Sequence, residues 1–153
     1  MGALDVLGFN HTAFVVSDLD RTIGFFRDLL GFELTSRAPR DKKAIQDMTG
    51  LAGADIEVAY LHGLDHWIEL IRYKTPAARG SGLPRIYQDG AGHVAFNVAD
   101  AKAAVDAAGA YGLTPVGEII TIDQGPNAGR KVVYLQSEDG LSVEFIQLDA
   151  GAV

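Results

Sequence analysis

The hydrophobic residues of this chain follow two spacings, which recur in the same order in both halves. Short apolar runs rich in β-branched and aromatic residues predict strands, whereas apolar residues three or four positions apart predict amphipathic helices. Each half therefore has the predicted order β-α-β-β-β. The predicted strands are 9–16, 32–36, 56–62, 66–73, 92–98, 114–121, 130–136 and 141–148, and the predicted helices are 19–30 and 101–111.

The two halves are expected to form one domain of the α+β class. A chain of 153 residues is long enough to bury a single hydrophobic core. We assign residues 7–74 to a first module and residues 91–148 to a second module in tandem with it. The linker 75–90 contains two prolines and three glycines, a composition typical of a connecting segment.

The first strand of each half carries the same motif. Residues 11–18 read His-Thr-Ala-Phe-Val-Val-Ser-Asp and residues 93–100 read His-Val-Ala-Phe-Asn-Val-Ala-Asp, so five of the eight positions are identical. His11 and His93 are therefore 82 residues apart (93 − 11) and occupy equivalent points of two equivalent modules. If the two halves face each other, both imidazole rings reach one site.

The last strand of each half contains a glutamate among apolar residues. Glu69 and Glu144 are 75 residues apart (144 − 69), close to the offset of the histidines. An ionised carboxylate in so apolar a strand is unfavourable unless a partner compensates its charge. A single histidine is more often a structural residue, and Glu69 alone could pair with Arg72. The joint pattern favours a divalent cation held by two neutral imidazoles and two carboxylates, which would make the site nearly neutral.

Charge and composition narrow the class of partner. The formal net charge is −7 and the sequence pI about 4.9, which argues against nucleic acid because phosphate binding needs a basic surface. Without cysteine, only nitrogen and oxygen atoms are available as metal ligands. No run is apolar enough to cross a bilayer and no signal peptide is recognisable, so we expect a cytoplasmic protein without membrane contact.

Three polar features have simpler interpretations. The basic run 37–43 is expected to be a solvated loop, with contact to an anionic substrate tail as the alternative. His62 and His66 flank a predicted turn and are expected to be surface residues. His66 lies an odd number of positions from Glu69, so a regular strand directs the two side chains to opposite faces.

These residues together resemble the vicinal oxygen chelate superfamily, which includes glyoxalases, methylmalonyl-CoA epimerases, extradiol dioxygenases and antibiotic-resistance proteins. The similarity rests on the duplicated β-α-β-β-β order, the two His-x-Ala-Phe-x-Val-x-Asp strands and the glutamate-bearing closing strands, and it extends over residues 7–148. The segment 125–130, Tyr134 and Glu144 also match the usual second-half pattern. The turn 137–140 reads Ser-Glu-Asp-Gly where many relatives have Asp-Pro-Asp-Gly.

The resemblance implies a cup-shaped mixed sheet with helices outside, built around one divalent metal ion. His11, Glu69, His93 and Glu144 match the four ligand positions, which leaves two adjacent positions on an octahedral ion for water or substrate. Such an ion stabilises an enolate or oxyanion as a Lewis acid. Two nitrogen and two oxygen donors leave Zn, Ni, Co, Mn, Fe(II) and Mg open. Family members often form homodimers, and we expect one here.

The resemblance also favours one reaction class. A fourth protein ligand at Glu69 distinguishes glyoxalases and epimerases, the branch this chain most resembles, from extradiol dioxygenases with a two-His, one-carboxylate triad. We therefore expect a metal-dependent isomerase, lyase or epimerase that forms an enolate or enediolate of a small carbonyl, thioester or hemithioacetal substrate. Glu144 matches the position of the proton-transferring base, and Glu69 is the second candidate for that catalytic role.

Further residues are candidates for contact with the substrate. Arg130, Tyr134 and Asn97 are expected to line the cup. The second acid or base is unassigned, with Glu57 and Gln46 available. Two other functions remain open, an iron-dependent extradiol dioxygenase and a protein that binds or sequesters a small molecule.

Overall fold

A computed structural model of the chain describes residues 6–77 and 86–148, which form two four-stranded sheets with one short additional strand. In each sheet the first strand runs parallel to the last strand of its module, and the remaining pairs are antiparallel. The predicted α+β class with two tandem modules is confirmed. In spatial order, the strands of sheet 1 are β1 (Thr12–Val15), β4 (His66–Thr75), β3 (Asp55–Gly63) and β2 (Glu33–Pro39). The strands of sheet 2 are, in the same sense, β5 (Val94–Val98), β9 (Ser142–Gln147), β8 (Lys131–Ser137) and β6 (Leu113–Pro115). The short strand β7 (Ile120–Thr121) pairs with β8.

The two predicted helices begin at aspartates of the repeated motif. The carboxylate of Asp18 accepts the backbone N–H of Arg21 at the start of α1 (Leu19–Gly24), which continues as a π-helical turn (Phe25–Leu29). Asp100 caps α3 (Ala101–Ala108) in the same way, and a 3₁₀ turn (Gly109–Tyr111) follows. Neither helix, nor any other in 6–77 and 86–148, is long and apolar enough to span a membrane.

The basic run 37–43, predicted as a solvated loop, contains the end of β2 and the start of a helix that the sequence did not predict. Helix α2 (Lys42–Thr49) connects β2 to β3, and Asp41 caps it by accepting the backbone N–H of Ala44. Ile45 is its only buried hydrophobic residue, and the helix has only eight residues, so few apolar positions in the sequence indicate it. The second module has β7 in the equivalent connection.

Three strand predictions were also wrong in extent. The predicted strand 114–121 is interrupted and forms β6 and β7, between which Val116 still donates its backbone N–H to Tyr134 O at 2.8 Å. Pro115 has no N–H to continue the ladder, and Gly117 weakens strand formation. The opening strands are shorter than predicted, so that His11 and His93 each immediately precede a strand.

In each sheet, one face packs against a hydrophobic core that the two sheets share. The π-helical turn contributes Phe26, whose ring packs edge-on against Phe32 and against Phe96 of β5 at centroid distances of 5.6 and 6.3 Å. Strand alternation therefore leaves the opposite face of each sheet directed away from this core. The core residues of the central strands are Ala59, Leu61, Ile68 and Leu70 in sheet 1, and Val133, Leu135, Val143 and Phe145 in sheet 2.

Helix α2 covers part of the other face of sheet 1. Ile45 packs there in a second apolar cluster with Ile56 and Val58 of β3, and Tyr60 borders the cluster. Helix α2 therefore covers one end of the face on which Tyr60 lies. This face is opposite to the one that packs against the main core.

A partly buried carboxylate joins the two modules. Asp139, in the turn between β8 and β9, accepts hydrogen bonds from the backbone N–H of Ser17 at 2.6 Å and from the Ser17 hydroxyl at 2.9 Å, and a further one from the Ser137 hydroxyl. Burial alone would raise the pKa of Asp139, but the hydrogen bonds from Ser137 and Ser17 outweigh it and lower the pKa.

Replacing Asp139 with Asn should lower the free energy of unfolding near neutral pH by about 1–3 kcal/mol, because the hydrogen bonds to the charged carboxylate are lost. The folded pKa of Asp139 is depressed. Its contribution to stability is therefore present above the unfolded value of about 3.9 and is lost as pH falls through the folded pKa. The gap between wild type and variant should close in acid, which urea unfolding at a series of pH values measures.

The matched control is Asp106→Asn, which removes an exposed carboxylate paired with Lys102. This change should alter the free energy of unfolding by less than about 1 kcal/mol. A gap between wild type and Asp139→Asn that stays constant from neutral to acid pH would contradict the role given to the charge.

Candidate metal centre

The first half-site is a cluster of three side chains on the face of sheet 1 away from the core. His11 Nε2 lies 3.0 Å from Glu69 Oε2, and the Tyr60 hydroxyl donates to Glu69 Oε1 at 2.7 Å. The Tyr60 ring stands edge-on to the His11 ring at a centroid distance of 6.0 Å. Cross-strand register creates the cluster, since Tyr60 and Ala13 are the neighbours of Glu69 on either side.

The second half-site repeats this arrangement on sheet 2. His93 Nε2 lies 3.2 Å from Glu144 Oε2, and the Tyr134 ring stands edge-on to the His93 ring at 5.0 Å. Tyr134 and Ala95 are the cross-strand neighbours of Glu144, just as in the first module. The sequence analysis overlooked Tyr60, although its offset of 74 residues from Tyr134 (134 − 60) nearly equals that of the glutamates.

The tautomer of His11 favours a cation between the ring and Glu69. Asn10 Oδ1 lies 2.6 Å from His11 Nδ1 and accepts its proton. A neutral His11 therefore presents the lone pair of Nε2 to the carboxylate of Glu69, and two such acceptors repel at 3.0 Å unless a positive charge lies between them. A proton on Nε2 or a metal ion bound by both atoms satisfies this requirement.

The distances also suit a metal ion. Metal–nitrogen and metal–oxygen bonds of about 2.1 Å place neighbouring ligand atoms of an octahedral ion about 3.0 Å apart. The two histidine–glutamate separations are 3.0 and 3.2 Å. Glu69 and Glu144 are only 14% and 13% exposed, so each carboxylate needs compensation of its charge. Each pair is thus spaced as two adjacent ligands of one ion.

The chain does not gather the four residues into one cluster. Within 6–77 and 86–148, no three histidine or acidic side chains lie together as a group able to hold a metal ion. The expectation that the two halves of one chain face each other around one site is therefore wrong for the isolated chain. The physical reason is the shared core, against which both sheets pack the face opposite to their half-sites. The assignment of the four residues as ligands remains a prediction.

The two half-sites differ in how their carboxylates are held. Both oxygens of Glu69 are engaged, one by Tyr60 and the other by His11. Of the described residues, only His93 lies within ion-pair distance of Glu144, on one of its two oxygens. The hydrogen bond to Glu69, followed by burial, raises the pKa of Tyr60, so its hydroxyl remains a donor. Burial and then the charge of Glu144 raise the pKa of Tyr134.

The predicted substrate contacts lie around the second half-site. Arg130 immediately precedes β8 and, by strand alternation, is on the same face as Tyr134, where Asn127 accepts a hydrogen bond from its guanidinium at 2.8 Å. Asn97 is exposed on β5, two positions beyond the neighbour of Glu144. A cavity of about 240 Å³ lies beside His93 and is lined in part by Tyr134.

Neither candidate for a second acid or base reaches the first half-site. Glu57 lies on the opposite face of β3 from Tyr60 and forms an ion pair with Arg37 at 2.8 Å. Gln46 is on α2, where its side-chain oxygen accepts the backbone N–H of Gly53 at 3.0 Å. Both side chains are engaged in local structure.

The two remaining histidines are more buried than predicted. His66 is partly buried, with its Nε2 2.9 Å from Thr12 Oγ1 and its ring stacked on Phe9 at 5.4 Å. His62 is also partly buried and packs against Trp67 at 4.6 Å. The expectation of free surface residues is wrong because aromatic neighbours near the turn cover both rings.

Comparison with known proteins agrees with this architecture. Residues 8–145 match the Glyoxalase/Bleomycin resistance protein/Dioxygenase superfamily. An Actinomyces 2-epi-5-epi-valiolone epimerase is 33% identical over 157 positions, covering 99% of this chain and 85% of that protein. A Haemophilus influenzae lactoylglutathione lyase is 31% identical over 144 positions, covering 90% of each.

A solved glyoxalase family protein from Bacillus cereus superimposes with a TM-score of 0.80 at 25% identity, covering 98% of this chain and 99% of that one. Members of this superfamily commonly bind a divalent metal, and both curated relatives are enzymes. The family match, the two relatives above 30% identity and the duplicated modules agree, and the chain belongs to the glyoxalase/bleomycin resistance/dioxygenase superfamily.

Proposed function

We propose that this protein is a divalent-metal-dependent isomerase, lyase or epimerase that moves a proton next to the carbonyl group of a small-molecule substrate. The observation that carries the proposal is the pair of histidine–glutamate half-sites, each with its two donor atoms at the spacing of adjacent metal ligands. The two curated relatives support the class, since one is an epimerase and the other a lyase. An extradiol dioxygenase is less well supported because Glu69 would occupy a position needed for catechol or oxygen.

His11, Glu69, His93 and Glu144 would hold the ion. Two imidazole nitrogens and two carboxylate oxygens fit Zn, Ni, Co, Mn or Fe(II). When bound, the ion supplies the positive charge that stabilises the oxyanion formed as a proton leaves the carbon beside a carbonyl.

A second copy of the chain would complete the ligand set. In a two-fold symmetric dimer, the His11–Glu69 pair of one copy can meet the His93–Glu144 pair of the other, which gives two equal sites. This pairing requires no change in the core, because both half-sites lie on the faces directed away from it. We therefore propose a homodimer in which each site is shared.

The difference between the carboxylates favours Glu144 as the base. A base must turn toward the substrate proton and accept it. Glu69 would have to break its hydrogen bond with Tyr60 to do so, whereas Glu144 has an oxygen without a hydrogen-bond partner among the described residues. We assign proton transfer to Glu144 and a fixed ligand role to Glu69, with Tyr134, Arg130 and Asn97 contacting the substrate.

Replacing Glu144 with Gln should lower kcat by about 10²–10⁴-fold, because the amide cannot accept the substrate proton. Thermal unfolding should change little, since Gln preserves the shape of the side chain. Assays on hemithioacetals and 2-methyl-acyl-CoA thioesters, with elemental analysis of protein purified without chelator, measure activity and bound metal. Unchanged behaviour of the variant would favour a protein that only binds its ligand.

Replacing Tyr60 with Phe should weaken metal binding by about 10–100-fold, because the carboxylate of Glu69 loses the hydrogen bond that orients it. Competition with a fluorescent chelator measures the metal dissociation constant. Tyr134→Phe is the matched control, since Tyr134 is the equivalent residue and has no described hydrogen bond to its glutamate. Equal effects of the two variants would contradict the fixed role of Glu69.

Mixing two defective variants tests the shared site. His11→Ala and His93→Ala should each fail to hold the metal as homodimers. After they are unfolded and refolded together, half of the dimers are mixed and each mixed dimer has one intact site, so about one quarter of the wild-type metal content and activity should return. If each chain forms its own site, the mixture recovers nothing.

A further inference from the structure

The cations of the basic run 37–43 are not equivalent in the structure. Arg37 is paired with Asp20 and with Glu57. The two lysines that follow are also paired, Lys42 with Asp55 at 2.8 Å and Lys43 with Asp47 at 2.5 Å. Arg40 is partly buried, and within 6–77 and 86–148 it has no carboxylate partner. Its guanidinium interacts with Tyr60 instead, and in a chain with a net charge of −7 a partly buried arginine without a carboxylate partner among the described residues is unexpected.

Arg40 lies at the first half-site. Its guanidinium is over the ring of Tyr60, 5.8 Å from the centroid, and the hydroxyl of the same tyrosine donates to Glu69 at 2.7 Å. Arg40 and Glu69 therefore contact one common side chain. An anionic group on Arg40 would belong to a molecule that also reaches the carboxylate of Glu69.

The backbone on both sides of Arg40 is fixed. Its N–H donates to Ile56 O at 3.2 Å, which ties it to β3. The next residue, Asp41, caps α2, and Ile45 anchors that helix on the same face of the sheet. The backbone that carries the guanidinium is thus fixed before any ligand arrives, which reduces the conformational entropy lost on binding.

The charge of the proposed site also favours an anion. Two carboxylates and one divalent ion sum to zero, so the charge of Arg40 is uncompensated beside them. A guanidinium has five N–H donors, so Arg40 can contact Tyr60 and still offer two N–H groups to the oxygens of a carboxylate or phosphate. Among the described residues, only the first module has a helix in this connection, α2, and the basic run that precedes it.

We propose that Arg40 binds an anionic group, a carboxylate or a phosphate, of the substrate that occupies the site of His11 and Glu69. The proposal rests on the proposed metal-dependent function, and it defines the substrate as a carbonyl compound with a second, anionic end. The anion fixes the orientation of the substrate, with its charged end at the first half-site.

Hydroxamates test the proposal because their two adjacent oxygens bind a divalent ion. We would titrate the metal-loaded protein by calorimetry with acetohydroxamate, the monohydroxamate of succinic acid, its methyl ester and the corresponding phosphonate. Wild type should bind the carboxylate or the phosphonate at least about tenfold more tightly than the methyl ester. Whichever of these two compounds binds more tightly identifies the class of anion.

The variants separate Arg40 from the metal site. Arg40→Met should abolish the preference for the charged tail and leave acetohydroxamate binding unchanged, and Arg40→Lys should retain part of the preference. Arg27→Met, which removes an exposed arginine paired with Asp28, should behave as wild type. A preference that survives in Arg40→Met would overturn the proposal, whereas failure of acetohydroxamate to bind would count against the metal site.

A second measurement does not depend on the metal. The Arg40 Nε–Hε resonance can be assigned by its loss in Arg40→Met and followed while inorganic phosphate is added to the metal-free protein. A saturable shift of this resonance, with Arg27 unaffected, supports the anion site. A shift no larger than that of Arg27 would overturn it, whatever the hydroxamates show.

Discussion

The shared hydrophobic core is the constraint on which the rest of the molecule depends. Both sheets pack one face against the same cluster, in which Phe26 and Phe96 are in contact. Because side chains alternate along a strand, every chemically active residue of the central strands lies on the opposite face. The two half-sites are therefore directed away from the core of their own chain. The proposed dimer would bring half-sites of two copies together without disturbing that core.

Cross-strand register determines the composition of each half-site. Glu69 is between Ala13 and Tyr60, and Glu144 has the same two residue types as neighbours in sheet 2. A slip of one residue in any of these strand pairs would turn the glutamate toward the core, where its charge would be unpaired. The alanines leave space above the carboxylates, and the tyrosines approach the histidine rings edge-on. The duplication has thus preserved a local geometry as well as a motif.

The sequence predicted those features that depend on local periodicity or on the repeat. The capping aspartates and the order of the strands along the chain follow from patterns that the structure reproduces. The pairing of each histidine with the glutamate of its own module was not predicted, because the sequence analysis placed all four residues at one site. Helix α2 escaped prediction because Ile45 is its one buried hydrophobic residue. The separation of the two half-sites was also missed, since periodicity assigns a residue to a face but does not say which faces meet.

The two modules have kept the same histidine and glutamate but have come to differ in the surroundings of these residues. In the first module, Tyr60 holds Glu69 and carries Arg40 on its ring, so this side is suited to fix a ligand and the anionic end of a substrate. In the second module, Glu144 has an oxygen with no described partner, and a cavity lies beside His93. If two copies form each site, one copy positions the substrate and the other supplies the base. Proton transfer would then depend on formation of the dimer, because a single chain does not bring its two half-sites together.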